Sequence, residues 1–112
     1  MATIHDPEVS SFQRGPAYRY IRATDALPDT DDASADPAPI ARVKLFDPGS
    51  NWTWYIAGYD PETRIAWGLA DGFEQEYGSI DMAELAAVRG RFGLPIERDL
   101  HWTPRPLAEC LR

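Results

Sequence analysis

Three residues near the C-terminal end, Glu97, Asp99 and His101, recur at two-residue spacing and would share one face of a strand. Two carboxylates beside an imidazole suit general acid–base work or an oxygen- and nitrogen-ligated metal. The same alternation describes a solvated outer face, with Ile96, Leu100 and Trp102 inside. A second group, Asp71, Glu74 and Glu76, lies around Gly72 and Gly78. A carboxylate loop of this kind can hold a divalent cation, yet the spacing of a calcium-binding EF-hand is missing and a charged surface loop describes it as well. Cys110, His5 and the serines form no nucleophile–base pair at a recognised spacing. The sequence has no phosphate-cradling glycine loop and no zinc motif. Catalysis gains no positive support, and neither a metal nor a cofactor is implied.

The aromatic residues point elsewhere. In Asn51–Tyr59, if Trp52, Trp54 and Ile56 face a helix, then Tyr55 faces outward beside Phe46, Arg42, Lys44 and Arg64. An open sheet face carrying Tyr, Phe and Arg resembles the platforms on which single nucleic-acid strands are stacked. The same residue types dominate protein-interface hot spots. A third reading covers this face with the N-terminal segment or a C-terminal helix, making it a second small core.

The elements that would position these residues follow from periodicity. Residues 1–24 form an N-terminal segment in which Tyr18–Arg22 reads as a short edge strand. Residues 25–39, with three prolines and five aspartates, read as a flexible acidic loop, too poor in apolar surface to offset the cost of ordering. Residues 40–112 read as the α+β domain. There, alternation over Ile40–Phe46, the aromatic run Asn51–Tyr59 and Arg64–Ala70 predict three strands. Asp47–Ser50 and Asp60–Thr63 are the turns of an antiparallel meander. Asp81 with Glu84 predicts a capped helix over Asp81–Arg89, stapled by Ile80 and Leu85. Its apolar stripe is Met82, Leu85, Val88 and Phe92. Ile96–Trp102 would be a fourth strand, and Thr103–Pro104 would open a short C-terminal helix. The expected fold is therefore an antiparallel sheet of three or four strands, with one main helix on one face.

The bulk numbers bound the function. A chain of 112 residues has room for one domain. Formal charge is −7, from 18 acidic and 11 basic residues. Residues 1–39 hold seven acids against three arginines, so the front is proportionally more acidic. Long-range attraction to nucleic-acid phosphates or anionic lipid is disfavoured. No apolar run reaches membrane-spanning length, and His5, Asp6 and Glu8 interrupt any export-type segment. With Cys110 the sole cysteine, no internal disulfide can form, and a cytoplasmic location is expected.

Several blocks, in order and spacing, resemble the bacterial domain of unknown function 2958 family. They are Lys44–Phe46, Asn51–Tyr55, Trp67–Leu69, Glu76–Gly78, Ala83–Leu85 and Gly93–Leu100, with an echo at Ala23–Asp25. The likeness covers about residues 40–109. The acidic loop before Ile40, Asp81 at the helix start and His101–Trp102 depart from the pattern. The resemblance implies no known activity. It implies an accessory protein of plasmids, phages and integrated elements, found with antirestriction functions. The expectation is a non-enzymatic factor that binds an unidentified protein partner through Phe46, Tyr55, Arg42, Lys44 and Arg64, inhibiting a host defence nuclease. Its alternatives are a single-stranded nucleic-acid-binding module and, third, a small hydrolase or metal-dependent enzyme. The acidic loop offers a further expectation, a DNA-mimicking element that seeks an arginine-rich groove.

Overall fold

A computed structural model describes residues 19–112, and its organising element is a twisted antiparallel sheet. In chain order the elements are α1 (Thr30–Ala35), β1 (Ile40–Ala41), β2 (Val43–Phe46), β3 (Thr53–Asp60), β4 (Ile65–Asp71), β5 (Gln75–Asp81), α2 (Met82–Ala87), β6 (Glu97–Arg98) and β7 (Arg105–Pro106). The main sheet has the order β5-β4-β3-β2-β6, while β1 and β7 pair separately. The α+β class and the β2–β3–β4 meander are as expected. Leu45 stands opposite Trp54, and Tyr55 stands between Lys44 and Leu69. Asp47 and Asp60 close their turns by accepting hydrogen bonds from Gly49 N and Glu62 N, both at 2.9 Å. Short acidic side chains favour such turns because they reach the backbone two residues ahead. Among the described residues no helix is long and apolar enough to cross a membrane.

One face of the sheet carries the larger core. Leu45, Ile56, Met82, Ile96 and Tyr20 are fully buried there, with Trp54 packed at the margin. The α2 cap forms as expected: Asp81 Oδ1 accepts from Ala83 N at 3.0 Å and Glu84 N at 3.2 Å. The helix is shorter than expected, since Val88 turns to extended backbone. Only Met82 and Leu85 of the predicted stripe are buried, and Phe92 is 83% exposed. The opposite face carries a smaller layer built on Ala33, Ala41, Ala57, Leu69 and Leu107. A register shift between Ile56 and Gly58 lets both layers draw on β3. Ala57 enters the small layer, while Tyr59 joins the large one.

Four expectations need correction. Residues 25–39, read as a flexible loop, contain α1, whose start is capped by Asp29 accepting from Thr30 N at 2.8 Å. Asp31 and Asp32 occupy its first turn, where negative charge is favourable. Ala33 then packs on Gly58, where an added Cβ would stand 2.6 Å from the Ala33 Cβ. Composition alone conceals that contact. Second, residues 19–22 form no strand, and Tyr18 lies outside the described residues. Tyr20 and Ile21 are buried instead, with Tyr20 Oη donating to Ile96 O at 2.5 Å. Third, the acidic connection around Glu76 is a full edge strand, β5. Only Ile80 in it is buried, so an edge position leaves no apolar alternation to read. Fourth, the strand expected over Ile96–Trp102 is only β6, and a 3-10 turn, Leu107–Cys110, starts after Pro106 rather than at Thr103.

Candidate partner-binding surfaces

Tyr55 and Lys44 are cross-strand partners, and the chain near its C-terminal end closes over them. The Tyr55 and Trp102 rings lie 5.5 Å apart at 50°. Lys44 Nζ sits 5.4 Å from the Trp102 ring centre and 3.8 Å from Asp99 Oδ2. Trp102 is held by its Nε1, which donates to Ala41 O at 2.9 Å. Burial raises the Tyr55 phenol above its ordinary value, with nearby Cys110 and Asp71 adding to the shift. Tyr55 is thus a half-buried member of the second layer, not an open anchor. Phe46 lies beyond it, opposite Thr53. Arg42 lies between β1 and β2, with its N–H donating to Ile56 O. Arg64 belongs to the β3–β4 turn, at the other end of the hairpin, where its carbonyl accepts from Met82 N at 3.0 Å. The structure therefore brings Lys44 and Tyr55 together and leaves Arg64 apart.

The carboxylate and imidazole residues do not form the strand face expected of them. Glu97 sits on β6, whereas Asp99 opens a turn by accepting from His101 N at 2.9 Å, and His101 is exposed. Asp71 is engaged by Arg112, whose Nη2 and Nε lie 2.7 and 2.9 Å from Asp71 Oδ1. Among the described residues no group of three or more His, Cys, Asp or Glu is arranged to hold a metal ion. Cys110 lies against the second layer, and burial is the main cause of its raised thiol pKa.

Two aromatic concavities flank the β4–β5 hairpin instead, one on each face. On the Tyr55 face, Trp67 and Tyr77 stack nearly parallel, 5.9 Å apart at 9°. They line a groove of ≈ 370 Å³ whose other walls are Asp36–Pro39 and Pro106–Ala108. On the opposite face, Trp54, Ala70 and Glu76 lie in a row across β3, β4 and β5. Trp52 stacks beside Trp54 at 5.9 Å, and Phe73 meets Trp52 edge-on at 5.7 Å and 80°. Trp52, Phe73, Ala70, Glu74 and Glu76 enclose a cleft of ≈ 340 Å³.

Local backbone chemistry sets the Trp52 wall. Its N–H donates to Ser50 Oγ and its carbonyl accepts from Asp47 N, so both ends are tied to the β2–β3 turn. The indole rests on Gly72, where any Cβ would come within 2.3–2.4 Å of the six-membered ring. That glycine is required for close approach rather than for its own backbone angles. Phe73 projects from the tight β4–β5 loop, in which Gly72 N donates to Glu74 O at 3.0 Å. Sequence reading missed both concavities because each depends on β5 as a strand. The available signal was the pair of aromatic–glycine blocks, Trp67–Leu69 and Glu76–Gly78, which flank one short hairpin.

Neither a curated protein nor a solved structure matches the chain. Residues 18–111 match the family described as Protein of unknown function (DUF2958). The match spans the sheet, both aromatic concavities and the closing C-terminal segment, so the chain belongs to the DUF2958 family.

Proposed function

We propose that this protein is a non-enzymatic factor that binds another protein through the aromatic rim of its β4–β5 hairpin. The observation that carries this reading is the exposure of the two outer rings, Phe73 at 92% and Tyr77 at 49%. Each is set against a tryptophan rather than left as an isolated surface residue. Scattered exposed apolar side chains need no explanation, but aromatic rings set beside concavities are the residue types that anchor interfaces. Tyr77, stacked on Trp67, also loses little conformational freedom when a partner covers it, so more of its contact energy appears as affinity.

The setting we propose is that of a mobile-element accessory protein that inhibits a host defence nuclease. The accessory role on plasmids and phages that the sequence resemblance implies points to this setting, and a net charge of −7 accords with it. An acidic protein is drawn to the basic groove of a nucleic-acid enzyme, which accelerates association. The test is the plating of unmodified phage on a restricting host that produces the protein. Protection should be lost in the Phe73→Ala/Tyr77→Ala double variant, while fold stability changes by only about 0.5 kcal/mol per exposed site. Absence of protection across restricting hosts, or its retention by a folded double variant, overturns the proposal.

A further inference from the structure

We infer that the Trp52–Phe73 cleft receives an arginine side chain presented by a protein partner. The inference rests on the protein-binding reading above and adds the chemistry of the group recognised. Two rings at 80° make a corner that an extended planar cation fits, with one face on the exposed Phe73 ring and its edge against the indole. Glu74 and Glu76 line the same cleft. Their side chains make no ion pair or hydrogen bond with the described residues, whereas the neighbouring carboxylate of Asp71 is already neutralised by Arg112. The cleft therefore joins an aromatic surface to uncompensated negative charge. A guanidinium satisfies both demands at once: it stacks on rings and its fork of donors pairs with carboxylates.

The chain uses the first half of this chemistry elsewhere, since Arg105 Cζ lies 4.2 Å from the centre of the Trp102 ring. The receiving wall is also set in advance, because Trp52 is fixed between Gly72 and Trp54. Such preorganisation lowers the entropy lost on binding. The Trp67–Tyr77 groove differs: proline, alanine and leucine make up most of its remaining wall, and Asp36 is its one carboxylate. Nothing there selects a cation.

The test titrates the intact protein with a capped Ala-Arg-Ala peptide and with its citrulline counterpart, the neutral isostere. Indole N–H resonances and tryptophan fluorescence report binding. Saturable shifts at Trp52 should fit a dissociation constant of about 1 mM and weaken as salt is raised. The citrulline peptide should bind about tenfold more weakly, as should the arginine peptide to Glu74→Gln/Glu76→Gln. Equal binding of the citrulline peptide, shifts at Trp67 instead of Trp52, or no saturation by about 10 mM would overturn the inference. Tighter binding of tetramethylammonium than of the arginine peptide would also overturn it, because a spherical cation cannot use the carboxylate fork. Arginine binding without phage protection would remove the proposed function and leave this inference standing. Protection without arginine binding would do the reverse.

Discussion

The two faces of the sheet are closed by different physics. The face under α2 is filled by large aliphatic side chains and Tyr20, and its residues are buried almost completely. The other face is floored by alanines and Leu69, then roofed by α1, Leu107 and the half-buried rings of Tyr55, Trp67 and Trp102. Its closure also depends on polar ties from the C-terminal end. Gln75 Nε2 donates to Cys110 O at 3.0 Å, and Arg112 N donates to Gln75 Oε1 at 2.8 Å. The first face gains stability from volume, the second from stacking and hydrogen bonds around smaller residues. A surface that is only half apolar can leave rings at its margin without losing its core. That margin is where Trp67 and Tyr77 lie.

The comparison predicts a hierarchy of stability losses. Removing the carboxylate of Asp25 should cost most. It pairs with Arg98 through two oxygens at 2.6 and 2.8 Å, and the side chains are 7% and 11% exposed. Asp25→Ala takes the paired carboxylate from a largely buried guanidinium, whose Nη1 keeps Tyr20 O as an acceptor at 2.9 Å, and a loss of about 3–5 kcal/mol is expected in denaturant unfolding. A loss below about 1 kcal/mol would show that water reaches Arg98 and that this edge of the larger core is open.

Leu45→Ala tests the filled face directly. Leu45 has no exposed surface, and deleting it should cost about 2–5 kcal/mol, the upper part if its neighbours cannot close the cavity. On the opposite face, Tyr55→Ala should cost only about 1–2 kcal/mol, mostly from lost area and the Trp102 contact. Equal losses at the two positions would erase the distinction between the faces. Tyr55 also gives this face a pH signature. Its folded pKa is raised above 10.0, chiefly by burial, so the folded state holds a proton that the unfolded chain releases first. The stabilisation is complete below that value and is lost as pH rises through the folded pKa. The stability of Tyr55→Phe should therefore fall less steeply with alkaline pH than that of the parent.

The smallest effect is expected at the entrance to α2, where Asp81→Ala removes the acceptor for two backbone N–H groups. A loss of about 1 kcal/mol, with an unchanged denaturant slope, is the expected outcome. A loss as large as that of Leu45→Ala would mean that the short helix carries the filled face, rather than merely covering it.

What the sequence determined by itself was local. The meander was legible because Val43, Leu45, Trp54 and Ile56 alternate around two aspartate turns, and the α2 cap because Asp81 precedes Ala83 and Glu84 at the spacing a first turn needs. The placing of Trp54 and Ile56 on the helix side also followed from alternation. Tertiary structure decided everything that depends on which distant segment covers a face. Gly58 gives no sign in one dimension that α1 will lie on it, nor does Trp102 that it will close over Tyr55. Glu76 and Tyr77 become parts of a strand only because β4 offers a free edge of backbone donors and acceptors. The register shift after Ile56 then reassigns Tyr59 between layers. Side-chain periodicity encodes alternation within one strand, whereas coverage depends on contacts between residues far apart in the chain, which no local pattern records.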